Sequence, residues 1–141
     1  MKPFVQILIV PTVGLALGAA GAFAAHAVMD ERTSPASPAA AFVPAGPILV
    51  PLVLPDGRLS AYVSLTTQIQ VPVAAQDRVR GDMPLLLDAV TMRACHTPLA
   101  SGTDGQIPRV EAFRKLVFDA AVATFGRANV RRVAVTQVQP V

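Results

Sequence analysis

The sequence predicts an α+β fold: a single amino-terminal transmembrane helix, then a small β-β-α-α-β domain with helices packed on one sheet face. Three observations predict it. Pro3 to Met29 is apolar and carries no Asp, Glu, Lys or Arg. A Pro55-Asp56-Gly57 turn is followed by a stretch of two-residue alternation. Two later stretches carry apolar residues at helical spacing, ended by Pro98 and by Gly126.

The leading run is long enough for a bilayer, which a helix spans with about 20 apolar residues. It is read as an anchor over residues 1–29. A cleaved leader ending near Ala24 or Ala27 is the alternative, although leader cores run to only about 15 residues. Lys2 and the amino terminus are the cations on one flank, and Asp30, Glu31 and Arg32 lie on the other. The positive-inside rule then places the amino terminus in the cytoplasm and the rest, in a bacterium, in the periplasm. Gly14, Gly18 and Ala22 share one helical face and suit close self-association of helices, although such residues are also common in membrane segments.

Residues 30–47 contain four prolines and read as a Pro/Ala/Ser-rich linker. The domain is expected over 48–141. Its first strand is Ile48 to Leu54, with Pro51 marking an edge or a bulge. Beyond the turn, Ala61, Val63, Leu65, Thr67, Ile69 and Val71 alternate with Tyr62, Ser64, Thr66, Gln68 and Gln70. That is a second strand from about Arg58, with Thr67 the one polar residue on its apolar side.

Asp82 is placed to cap a helix over Met83–Cys95, with Pro84 in its first turn. Leu86, Val90 and Ala94 form its stripe. After the loop Ser101–Gly105, a helix is expected from about Pro108 to Phe125. Val110, Phe113, Val117, Ala120 and Ala121 form its buried face, and Gly126 ends it. A last strand covers Asn129–Gln139.

Composition excludes several classes. The 141 residues carry twelve Lys or Arg and nine Asp or Glu, a balance of +3 with no basic stripe for nucleic acid. One cysteine, Cys95, makes no internal disulfide. Cys95 and His96 are neighbours, but successive helix positions point about 100° apart. No catalytic residue, cofactor site or metal site is expected from these patterns. Arg131-Arg132 can meet an acidic partner or headgroups, or can serve as solvated charges guarding a strand edge.

The stretches Arg109–Asp119 and Val130–Gln137, with Leu59–Val71 and Met83–Val90 before them, resemble the flagellar basal-body-associated FliL family. The terminal strand departs from that family in lacking bulky aromatics, with Val133 and Val135 in their place. The resemblance implies a stomatin-like periplasmic domain behind a single inner-membrane helix, in a non-enzymatic motility protein. Its partners would be flagellar stator and motor proteins, further copies of itself in a ring, and lipid through the helix, but not nucleic acid. Arg114, Lys115, Arg131 and Arg132 are the candidate partner surface. The alternative is a secreted or tethered periplasmic adaptor unrelated to flagella.

Overall fold

Strand β1, Ala40–Val53, opens the part of the chain that the computed structural model describes, residues 38–141. It starts inside the segment read from sequence as linker. Val43 and Ala45 are buried like Ile48, Val50 and Leu52. The register breaks between Pro44 and Gly46, where Gly46 takes φ +78°. That irregularity shifts the apolar phase by one residue, so the period of 48–52 does not extend back through it.

β1 pairs antiparallel with β2, Leu59–Pro72. The turn between them closes through Leu54 N–H to Arg58 O at 2.8 Å and Gly57 N–H to Leu54 O at 2.9 Å. Gly57 there takes φ +84°, which glycine adopts without steric cost. Asp56 accepts from the Arg58 backbone N–H at 3.0 Å and from Arg58 Nε at 2.6 Å. Those donors, the backbone N–H foremost, hold the Asp56 carboxyl below its usual range.

A 3₁₀ turn, Val73–Ala75, leads into helix α1, Gln76–Gly81. Helix α2 is Met83–His96 and helix α3 is Val110–Phe125. Between them, β3 (Ala100–Ser101) pairs with β4 (Ile107–Pro108). A second 3₁₀ turn, Arg127–Asn129, precedes β5, Arg132–Pro140. The main sheet runs β1-β2-β5, with β2 central and both pairings antiparallel.

Among the described residues, the helices cover one face of the main sheet. α2 lies against β1, α3 lies against β5, and the two helices pack on each other. Leu52, Leu65, Ile69, Leu86 and Phe113 are fully buried between the layers. Burying such side chains contributes about 1.5–3 kcal/mol each. Thr67 is also buried, and its hydroxyl has no hydrogen-bond partner. It sits where the β2–β5 register breaks, between Thr66 and Thr67.

Several expectations are corrected. The β-β-α-α-β order gains α1, too short to show a period, and the small β3–β4 pair. The last strand begins at Arg132, three residues late, because Arg127–Asn129 turns and Asn129 Nδ2 donates to the Phe125 carbonyl at 2.8 Å. Asp82 makes no side-chain cap at α2; its carboxylate instead lies 3.9 Å from Arg78 Nε.

The largest correction concerns the membrane. Among the described residues, no helix is long and apolar enough to cross one. The expected anchor at 1–29, with Gly14, Gly18 and Ala22, lies outside the described residues. Among the described residues, the structure supports a small α+β domain of three helices and two open sheets, with no transmembrane helix.

Candidate interaction site

The two edges of the main sheet differ in their backbone chemistry. Proline has no N–H, so a proline inside a ladder turns its nitrogen away from its partner strand. Pro47 and Pro51 of β1 lie opposite Thr66 and Tyr62 of β2. By alternation, the outward donors of β1 over this stretch belong to positions 47, 49 and 51. Two of the three are removed, and Leu49 keeps the third.

The same alternation turns the backbone groups of Gln68 and Gln70 toward β5. Their partners there are Ala134 and Arg132. The peptide groups of Val133 and Val135 then face outward, with no proline in β5 before Pro140. The β5 edge therefore offers both donors and acceptors, where the β1 edge keeps its outward carbonyls and lacks two of its donors.

A groove of about 290 Å³ runs along this edge, lined by Phe42, Arg114, Arg132, Val133, Ala134 and Val135. Phe42 and Arg132 belong to one row across the bare face, through Gln70. Phe42 is half exposed, and Leu49 and Tyr62 are exposed on the same uncovered face. The opposite edge has its own groove, formed by Pro47, Ile48, Leu49, Leu87 and Thr91.

The four residues read from sequence as a partner surface are not one cluster. Arg114 and Arg132 line the same groove. Lys115 faces a separate depression between α2 and α3, with Arg93, Thr97 and Asp119, and pairs with Asp119 at 2.7 Å. Adjacent helix positions diverge by about 100°, which separates Arg114 from Lys115. Arg131 is half-buried and donates its backbone N–H to Gln70 O at 2.8 Å.

Arg114 Nη1 reaches both Glu111 oxygens, at 2.8 and 2.9 Å, while its buried Nε has no partner. Arg131 and Arg132 form no ion pair among the described residues. Arg127 stacks over the Phe118 ring, 5.2 Å from its centroid, and donates to the Val130 carbonyl. It is thereby tied down beside the head of β5.

Cys95 and His96 are both exposed at the end of α2. Among the described residues, no three His, Cys, Asp or Glu side chains are grouped to hold a metal ion. The edge itself escaped sequence reasoning, because Phe42 lay in the expected linker and strand order is not written in local pattern. The prolines at 47 and 51 were the available signal: they mark β1 as one edge of the sheet.

The chain matches no protein-family model, no curated protein and no solved structure. The partner set expected from the sequence is corrected alongside the fold. Lipid contact, single-pass placement and a motor-associated role at the membrane all required a spanning helix, and none is found among the described residues. The ring beside a stator depended on that helix and is not supported by the described elements.

Proposed function

We propose that this domain is a non-catalytic protein-interaction module that takes up an extended segment of a partner along β5. The observation that carries this reading is the asymmetry of the edges: prolines remove outward donors from β1, while Val133 and Val135 keep theirs. Strand addition draws affinity from main-chain hydrogen bonds and specificity from flanking side-chain pockets. The groove beside Arg132–Val135 is such a pocket in position and size. An exposed edge is otherwise a hazard that proteins blunt with proline or charge. Here the blunting is confined to β1 and to the head of β5. Kinship of residues 48–141 with the compact domain of the FliL family is part of the same proposal. It rests on Arg109–Asp119 and Val130–Gln137 and is compatible with a binding role.

The test is selection of displayed random peptides against the full chain, followed by hydrogen exchange read by mass spectrometry. Selected peptides should protect amides of Val133–Val138 and lose affinity on V135P, which removes an outward donor. Selection of peptides that protect only the α2–α3 depression, or whose binding V135P leaves unchanged, would sink the reading.

A further inference from the structure

We infer that the segment β5 accepts is acidic, runs antiparallel to β5, and brings its carboxylates to Arg132 at its carboxyl end. This rests on the edge-binding reading above and names the chemistry of the partner. The head of β5 carries cations that the fold leaves unneutralised. Arg131 and Arg132 have no carboxylate partner among the described residues. Arg114 comes from α3 into the same groove. The carboxylate it holds, Glu111, is engaged by both oxygens. From Val133 to Pro140 the strand has no charge at all. The complementary segment is therefore uncharged along most of its length and negative at one end. Antiparallel pairing is slightly the more stable of the two senses. In that sense Arg132 meets the carboxyl end of the incoming strand.

The same charges disfavour a second copy of this chain as the occupant. β5 contains no Asp or Glu. Two copies paired antiparallel would set Arg132 against the neutral Gln137–Pro140 end and leave it unneutralised. Two copies paired in parallel would set arginine against arginine, which repels. An acidic segment from another protein is the occupant that satisfies the groove.

The probe is a blocked peptide of alternating Thr and Val ending in two Glu, compared with the same peptide ending in two Gln and with its reversed sequence. Each is titrated into the full chain at low and high salt, and the site is mapped by hydrogen exchange. The Glu peptide should bind about tenfold tighter than the Gln peptide at low salt, the scale of one charge-assisted contact. The gap should narrow as salt rises. The reversed peptide should lose most of that gain. R132E should abolish the preference, and R132Q should reduce it; Arg132 is exposed, and a thermal melt of each variant confirms folding. Equal protection of β5 by the Glu and Gln peptides overturns the acidic assignment and leaves edge binding standing. Failure of every peptide to protect β5 amides overturns both.

Discussion

β1 and β5 flank the same central strand, yet they are held and finished in opposite ways. β1 buries Val43, Ala45, Ile48, Val50 and Leu52 under the helices and spends prolines on its outer rim. β5 buries Val133 alone; Val135 is half covered and Val138 is 43% exposed. One edge is anchored and stripped of most of its outward donors. The other is lightly held and open. A strand intended only to complete a core gains from the first arrangement, and a strand intended to meet a partner needs the second. Local opening should follow the same division in hydrogen exchange, since it concentrates where few apolar contacts hold a segment.

The comparison can be broken most forcefully at β1. L52A removes a fully buried side chain and should cost about 2–5 kcal/mol in denaturant unfolding. A loss below about 1 kcal/mol would mean that β1 is not the anchored edge. Between the edges, T67V replaces a buried hydroxyl that has no partner with a methyl of similar shape. It should stabilise by about 1 kcal/mol, because an unsatisfied buried group carries its desolvation cost uncompensated. A destabilised T67V would reveal a hydrogen bond to that hydroxyl. On β5, V138A should change stability by less than about 0.5 kcal/mol, as at other exposed positions. A larger loss in the same unfolding experiment would show β5 to be anchored after all.

The smallest effect lies at the turn that joins β1 to β2. Asp56 is held as the anion by the Arg58 N–H and guanidinium, so its folded pKa lies below its unfolded one. Its contribution is present above the unfolded value, about 3.9, and is lost as pH falls through the lower folded value. An NMR titration should give Asp56 a midpoint below the ordinary aspartate value, a difference that the Arg58 donors cause. D56N should remove the difference in acid sensitivity without affecting peptide binding at β5.

Much of this fold was legible because the physics is local. The Pro55-Asp56-Gly57 turn and the alternation from Ala61 to Val71 specify a hairpin within one short stretch. The stripes Leu86–Val90–Ala94 and Phe113–Val117–Ala120 specify helices in the same way. What stayed hidden depends on distant neighbours. The bulge at Pro44–Gly46 breaks the period of β1 and disguises its first half as linker. α1 buries only Val79, too little to write a pattern. Val130 is buried like a strand residue while belonging to the connection before β5. Arg114 and Arg132 share a groove only because α3 lies on β5, and no spacing in the chain announces that. The uncharged run at 3–29 spoke clearly about composition, but its placement lies outside the described residues.

The tie between Thr136 Oγ1 and the Thr66 carbonyl, at 3.3 Å, joins residues 70 apart in the chain. Closing so long a loop is entropically slow, whereas the neighbouring hairpin zips over a few residues. If the hairpin forms first, the middle strand waits with one flank unsatisfied until the final ribbon arrives. For that interval it is open to any stray extended peptide, which makes the late docking of β5 the step a chaperone or a competing strand can intercept.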